Sequence, residues 1–378
     1  MIYLDYAAST PIDPRVLDKM APFHGAANPS SAHLAGRQAA DAVEEARRLV
    51  ARLIGGSPDE VVFTSGATES NNLAIGGVIR QAGAGHVVTT AAEHKAVLET
   101  ARSWCPRTSI VPVRGDGSVD PDSVAAAIQT DTVLVSVMAA NNEVGTISAI
   151  AEIGAVCRER EVLFHCDAAQ AVGKMHIDVG TFPVDLLSLS AHKMYGPKGV
   201  GALWVRRGVR DRIRPLIAGG GHERGLRSGT TNVAGCVGLG EAARIAIDER
   251  VADERHSQEL RTHLLEALMA AFDGATVNGQ PRSVLPGIVN VRLPGIDVES
   301  LLLATPLVAA STGSACTSAV PAPSHVLRAM GLSHEAAFES IRLSFGRFTT
   351  LTAIDHALEA LAASVHLVRK ADVESSVC

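Results

Sequence analysis

The stretch DLLSLSAHKMYGPKGVGALWV, residues 185–205, contains two short apolar runs separated by a glycine-rich turn. Short apolar runs bounded by turn residues are typical of buried strands. The first run ends in a polar group that includes Ser190, His192 and Lys193. A lysine that is partly removed from water can have a lowered pKa and react as an amine. The stretch therefore predicts a strand pair with a candidate reactive lysine, Lys193, at the end of the first strand.

Similar runs lie upstream and suggest the same kind of sheet. TVLVSVM (132–138) and VLFHCDA (162–168) are continuously apolar, which is typical of strands covered on both faces of a parallel sheet. Helical patterns alternate with these runs, and one predicted helix begins with Asp120 as its cap and Pro121 in its first turn. This alternation predicts an α/β fold with a mainly parallel sheet.

The last third of the chain has a different pattern. From Ala234 to about Phe272 the sequence is helical and charged, which indicates a helix leading into a second unit. The predicted strands of that unit are GIVNVRLPG (287–295), LLLAT (301–305) and SIRLSFG (340–346). A final helix is expected from about Thr350.

Composition excludes several classes of protein. The 378 residues are 47% apolar and 20% charged, an ordinary balance for a soluble globular protein, and the net charge of -6 argues against a broad nucleic-acid or acidic-membrane surface. The opening residues MIYLDYAAST lack the features of a signal peptide. The uncharged stretch 300–325 is rich in proline, serine and threonine, which argues against a membrane span. The six cysteines form no CxxC pair, so free thiols in the cytoplasm are expected.

Polar motifs follow the predicted strands. Ligands bind beyond the carboxyl ends of strands in open parallel sheets. The motifs found there are SGAT (65–68), EH (93–94), NN (141–142), DAAQ (167–170) and SAHK (190–193). We expect these motifs to meet at one site.

Three of these motifs together suit pyridoxal phosphate. This cofactor needs a lysine for a Schiff base and a carboxylate that keeps its ring nitrogen protonated, which Lys193 and Asp167 can supply. Its phosphate suits a helix N-terminus with nearby hydroxyls, as SGAT with Thr68 at the helix start provides. Ser190 and His192, on either side of the turn to Lys193, can complete the phosphate site.

Each motif taken alone has an ordinary explanation. A single lysine is usually a solvated charge, and Asp167 alone suits a helix cap or a metal ligand. GPKGVG (196–201) does not match a P-loop, and no GxGxxG follows the first strand, so a nucleotide-binding oxidoreductase is disfavoured. The histidines and cysteines lack the spacing of a zinc site, and no metal is predicted.

Motifs along nearly the whole chain resemble those of the NifS/IscS-type cysteine desulfurases, pyridoxal-phosphate enzymes of the class V aminotransferase group. The main ones are YLDYAAST (3–10), TSGATESNNLAI (64–75), HCDAAQAVGK (165–174), SAHKMYGPKGVGAL (190–203) and STGSACTS (311–318). The resemblance implies a fold type I homodimer. It also implies a large cofactor domain, 14–247, and a small α/β domain, 1–13 with 248–378, that carries the cysteine loop.

The resemblance also implies roles for individual residues. Lys193 would bind the cofactor covalently, His94 would lie over its ring and assist proton transfer, and Asp167 would pair with the ring nitrogen. The remaining cofactor contacts would come from Gln170 at the phenolic oxygen, from Asn142, and from Ala67, Thr68, Ser190 and His192 at the phosphate, with Thr230 reaching the phosphate from the partner subunit. Asn142 and Arg342 would hold the substrate carboxylate, a role that suits a guanidinium because it binds carboxylates in a bidentate way.

Cys316 distinguishes between the reactions open to such a cofactor. It lies in a run of small and hydroxyl residues, which is typical of an accessible loop. The resemblance implies that its thiolate takes sulfur from L-cysteine, giving L-alanine and an enzyme persulfide. The cysteine loop argues against an aminotransferase, whereas a selenocysteine lyase stays open. A non-catalytic sulfur carrier would need Cys316 alone.

The destination of the sulfur is left open by the sequence. An acceptor protein in iron–sulfur cluster assembly, tRNA thiolation or DNA phosphorothioation would suit the persulfide equally. Neither a role for Cys378 nor ligation of a cluster by Cys316 can be assigned from the sequence.

Overall fold

The computed structural model describes residues 1–279, 283–312 and 322–375, arranged as two sheets, a separate strand pair and helices packed on them. The strands are β1 (Ile2–Tyr3), β2 (Val61–Thr64), β3 (His86–Thr90), β4 (Thr108–Val111), β5 (Thr132–Ser136), β6 (Leu163–Asp167), β7 (Leu186–Ser190), β8 (Gly201–Val205), β9 (Thr276–Asn278), β10 (Ile288–Arg292), β11 (Val308–Ala309) and β12 (Ser340–Ser344). The helices are α1 (Pro14–Met20), α2 (Leu34–Leu53), α3 (Ala67–Ala82), α4 (Lys95–Trp104), α5 (Pro121–Ala127), α6 (Ile150–Glu159), α7 (Val233–Ala271), α8 (Val298–Ala304), α9 (His325–Ala329), α10 (His334–Phe338) and α11 (Leu351–Ser375). None of the helices in these ranges is both long enough and apolar enough to cross a membrane.

The large sheet has the order β2-β8-β7-β6-β5-β3-β4. Its central pairs, from β7 across to β4, are parallel, and β8 is antiparallel to both of its neighbours. Strands β6 and β7 are buried along their whole length, because helices cover both faces of the sheet. The predicted α/β class with a mainly parallel sheet is confirmed.

The small sheet has the order β12-β10-β9 and is antiparallel throughout. Strand β1 pairs with β11 in parallel, so the N-terminal segment, residues 2–10, joins the last third of the chain. Helix α7 connects the two sheets. Leu239 and Ile245 in its first half belong to the core under the large sheet, whereas Leu260 and Leu264 belong to the core under the small one. The division at residues 247 and 248 stays a prediction.

Two local predictions have different outcomes. Asp120 caps α5, and its side chain accepts a hydrogen bond from the Asp122 amide at 3.3 Å. The predicted strand 301–305 is wrong, because helix α8 covers most of it. Asp297 caps this helix by accepting a hydrogen bond from the Ser300 amide at 2.8 Å. The helix therefore begins before the apolar run, and the run alone does not indicate it.

Candidate active site

A cavity of about 690 Å³ opens at the carboxyl ends of the large sheet's parallel strands. Predicted site residues that line it are Ala67, Thr68, His94, Asn142, Asp167, Gln170, Ser190, His192, Lys193 and Arg342. Thr230 does not line it and lies exposed on the surface. Cys316 and Cys378 lie outside the described residues. The structure therefore brings ten of the predicted residues together around one cavity.

Lys193 lies in the helical turn that follows β7. Its ammonium donates to the carbonyl oxygens of Ala7 at 2.5 Å and of Ala8 at 2.9 Å. The N-terminal segment is also fixed to this turn by the amide of Thr10, which donates to the His192 carbonyl at 2.9 Å. Backbone from the N-terminal segment therefore holds the amine at the cavity wall. Lys198, from the same stretch of sequence, lines the cavity from an exposed position.

Asp167 ends β6 and presents its carboxylate to the cavity. One oxygen accepts from the Ala169 amide at 3.0 Å, and the other accepts from the Asn71 side chain at 2.7 Å. Asn71 was missed from the sequence, although it follows Thr68 by one helical turn in the motif SGATESNN. These two donors fix the carboxylate and leave it lone pairs for a further partner.

The start of α3 forms a cradle beside Ser190. Gly66 precedes the helix with φ +152°, a conformation that disfavours other residues, and no side chain caps the helix. A Cβ added at Gly66 would lie 3.7 Å from the Ser190 hydroxyl oxygen. The uncapped amides and the positive end of the helix dipole therefore face a space suited to an anion.

Two histidines at the cavity are neutral near pH 7. His94 accepts from the Ala96 amide through Nδ1 at 3.0 Å, so its neutral ring carries the proton on Nε2, and burial lowers its pKa. Burial, followed by the charge of Lys193, lowers the pKa of His192 to about 4. Both rings are therefore uncharged groups that can take part in hydrogen bonds at the cavity.

Arg342 enters the cavity from β12 and is only 5% exposed. It donates through Nη1 to the Asn142 carbonyl at 3.0 Å and through Nη2 to Asp5 at 2.8 Å, whereas its buried Nε has no partner. Asn142 thus contributes its backbone to Arg342. Asp5 was missed, since it is distant in sequence from every other site residue.

Glu143 is a second acid that the sequence analysis missed. It is buried beside the cavity, accepts a hydrogen bond from the Ser324 hydroxyl, and has its pKa raised to about 7 by burial. Its position directly after Asn142 in the motif NNEVG is the sequence feature that could have identified it.

The donor set fits a pyridoxal-type cofactor. An amine, a carboxylate held for a ring nitrogen and an anion cradle surround one cavity, and the guanidinium of Arg342 lies at the same cavity for a carboxylate ligand. The orphaned Nε of Arg342 is a buried donor that such a ligand can satisfy.

Comparisons with known proteins extend over both sheets. The family model for class-V aminotransferases matches residues 2–356. The cysteine desulfurase IscS of Anaeromyxobacter dehalogenans (strain 2CP-C) is 50% identical over 379 residues, covering 98% of this chain and 93% of that protein. A solved NifS-like protein has a TM-score of 0.90 at 38% identity, covering 97% of this chain and 99% of that one. The structure of SspA in complex with cysteine has a TM-score of 0.83 at 37% identity, covering 93% of this chain and 100% of that one.

Proposed function

The chain belongs to the class-V aminotransferases as a pyridoxal-phosphate-dependent cysteine desulfurase of fold type I, and we propose that Lys193, Asp167, Arg342 and Cys316 carry its reaction. The observation that supports this assignment most strongly is the convergence of Lys193, Asp167 and Arg342 on one cavity. The substrate is L-cysteine and the carbon product is L-alanine.

Bound pyridoxal phosphate supplies an electron sink for negative charge at the substrate α-carbon. Lys193 would hold the cofactor and then, once released, move the α-proton. Asp167 would keep the ring nitrogen protonated, and the cradle at Gly66 with Ser190 would bind the phosphate. His94 would lie over the ring with its Nε2 proton available.

Arg342 would orient the substrate through its carboxylate. A bidentate contact to the guanidinium fixes both the position and the rotation of the amino acid. The Asn142 carbonyl and Asp5 would keep the guanidinium in place while the substrate binds.

The Cys316 thiolate would then attack the substrate sulfur. A sulfur–sulfur bond forms as the substrate's carbon–sulfur bond breaks, and a proton completes the methyl group of alanine. No outside oxidant is needed, because the electron pair of the broken bond stays with the carbon. Approach of the thiolate to the cationic groups of the cavity would favour its ionised form.

The decisive experiment measures alanine and sulfide together, from L-cysteine, pyridoxal phosphate and a thiol reductant. Equal release over many turnovers is expected. Lys193→Ala should lose the covalently bound cofactor, and Cys316→Ala should bind cofactor and cysteine yet form no persulfide. Unchanged turnover in either variant would contradict the assigned role, and pyruvate in place of alanine would remove Cys316 from the reaction.

We further propose a homodimer in which Thr230 completes the partner's phosphate site. Its exposed position, outside the cavity of its own chain, supports this arrangement. Sedimentation of the cofactor-loaded protein should give twice the chain mass. Thr230→Ala should then weaken phosphate binding; a monomer with full activity would contradict the proposal.

For the sulfur we propose delivery to an acceptor protein, with iron–sulfur cluster assembly as the destination. The likeness to the IscS relative supports this choice over thiolation of tRNA or DNA. Four described cysteines are free thiols, which suits the reducing cytoplasm. Transfer of labelled sulfur from cysteine to a scaffold protein, without release of free sulfide, would be the expected result.

A further inference from the structure

Lys174 is a second lysine next to the proposed cofactor site. It lies just after the motif DAAQAVG and is partly buried. Its ammonium donates to Oε1 of Gln170 at 2.7 Å. Gly173, at φ +80°, makes the turn that precedes it, and a Cβ there would lie 2.9 Å from the Cβ of Met194.

The contact determines which way the Gln170 amide points. An ammonium group can only donate, so the oxygen of the amide must face Lys174. The nitrogen then faces the N-terminal segment and donates to the Ala7 carbonyl at 2.7 Å. That same carbonyl accepts from Lys193, so Gln170 and Lys193 meet at one atom. One N–H of the amide remains for a ligand in the cavity, which Gln170 lines.

Positive charge is in excess around Lys174. The cations Lys193 and Arg342 lie close enough to act on it, and together with burial, the largest cause, they lower its pKa to about 7. It also borders a cavity of about 30 Å³, whose other ionisable residues are Tyr6, Tyr195, Asp253 and Glu254. No salt bridge to Lys174 is present among the described residues, so its amide partner is its defined contact there.

We propose that Lys174 is a positioning residue for the desulfurase reaction. By holding Oε1 of Gln170, it leaves the remaining amide N–H of Gln170 for the phenolic oxygen of the cofactor, and its protonated form adds positive charge beside Lys193. The inference rests on the proposed role of Gln170. A donor at that oxygen and a nearby cation both disfavour the protonated, more positive form of the loaded site.

The test compares cofactor-loaded wild type with Lys174→Met, Lys174→Gln and Gln170→Leu. Two quantities are measured: the dissociation constant of pyridoxal phosphate, and the pH midpoint of its visible absorption band. We expect Lys174→Met to weaken binding about tenfold, as for loss of a hydrogen bond to a charged group. Its midpoint should rise by about half a pH unit or more.

Lys174→Gln keeps a donor without the charge. It should restore most of the affinity, with a midpoint still above that of wild type. Lys19→Met removes an exposed lysine in α1 and should change neither quantity.

A double variant separates the two proposals. If Lys174 acts through Gln170, adding Lys174→Met to Gln170→Leu should cause little further loss of affinity. Full additivity, or a normal midpoint in Lys174→Met, would overturn the role of Lys174 while leaving that of Gln170 standing. A normal spectrum and affinity in Gln170→Leu would overturn both. Thermal unfolding of each variant shows that the fold is retained.

Discussion

Arg342 has a different environment at each of its three nitrogens. Nη1 and Nη2 are held by the Asn142 carbonyl and by Asp5, and Nε is buried without a partner. A guanidinium held in this way is already oriented before a substrate arrives, which reduces the entropy lost on binding. This arrangement would suit a planar anion better than a single point charge.

Replacing Arg342 with lysine should keep the charge and lose the fork. We expect KM for L-cysteine to rise at least about tenfold, because a bidentate contact is lost and Asp5 loses its partner. Steady-state alanine release over a range of cysteine concentrations checks this. Cofactor binding should be unchanged, and an unaltered KM would refute the assigned role.

Glu93 keeps its proton in the folded protein at pH values where a glutamate side chain is ordinarily ionised. It is fully buried and accepts from the Met138 amide, and burial raises its pKa to about 8 from an ordinary 4.5. The folded state therefore keeps a proton that the unfolded chain releases above about pH 4.5. Glu93 thus lowers the free energy of unfolding progressively as the pH rises from about 4.5 to 8.

Glu93→Gln removes this titration while keeping an acceptor for Met138. The variant should gain stability over wild type as pH rises, by on the order of 3 kcal/mol between pH 5 and 8. Urea unfolding at both pH values measures the difference. Glu99→Gln, at an exposed position, is the control and should show no such trend. A pH-independent difference for Glu93→Gln would contradict the raised pKa.

Residues at strand ends could be predicted, and residues brought in from a distance could not. Lys193 follows one apolar strand and Asp167 ends another, and the carboxyl ends of parallel strands meet at one edge of the sheet. Asp5 reaches Arg342 across 337 positions of sequence, which no local pattern records. No role was predicted for Lys174, because a lysine after a glycine usually indicates a solvated turn.

At the scale of elements, helix α3 has a left-handed glycine at each end. Gly66 lies at the cradle, and Gly83 has φ +77° with nothing within 4 Å of an added Cβ. The two positions both have positive φ, in different surroundings. Substitutions at the two positions can therefore distinguish an effect of backbone strain from an effect on anion binding.

Gly66→Ala should weaken pyridoxal phosphate binding and destabilise the fold by about 1–3 kcal/mol through backbone strain. Gly83→Ala should destabilise comparably and leave the affinity unchanged. Fluorescence titration of cofactor-free protein, together with thermal unfolding, measures both effects. Equal loss of affinity in the two variants would place the effect in the helix as a whole and not in the cradle.

Helix α8 illustrates how a short helix can be mistaken for a strand in the sequence. The run 301–305 is apolar enough for a strand, yet Leu303 is 78% exposed while Leu301 is buried. Only one face of the run contacts the core, a helical arrangement that five residues are too short to reveal. The cap at Asp297 lies just outside the run. Longer patterns, such as α7, were predicted to within a residue of their start.

At the scale of the whole molecule, a cluster of charged residues links the start of α1, helix α7 and the segment after β12. Arg347 donates to Asp13 at 2.7 Å and to Asp253 of α7 at 2.6 Å, and its guanidinium lies 4.4 Å from the centre of the Tyr195 ring. The Arg347 side chain is 11% exposed. Hydrogen bonds from Arg15, with further ones from Arg347, lower the pKa of Asp13 to about 2, so the cluster stays charged in mildly acidic solution.

Arg347→Met should leave Asp253 without its cation and leave Asp13 paired with Arg15 alone. We expect a loss of about 3 kcal/mol in the free energy of unfolding, as for removal of one member of a buried ion pair. The exposed pair of Arg102 with Glu99 provides the control, since Arg102→Met should cost under about 1 kcal/mol. Similar urea midpoints for the two variants would show that the cluster contributes no more to stability than an exposed ion pair.

The N-terminal segment has a consequence for how the molecule is made. The amide of Ala7 donates to the Ser344 hydroxyl, 337 positions later, and the Ala7 carbonyl accepts from Lys193. On the ribosome the large sheet can begin to fold while the segment still lacks its partner strand, because chains fold as they emerge. The N-terminal segment therefore gains its contacts with β11 and β12 only near the end of translation. A nascent chain stalled before Val308 would be expected to form the parallel sheet while β1 still has no partner strand.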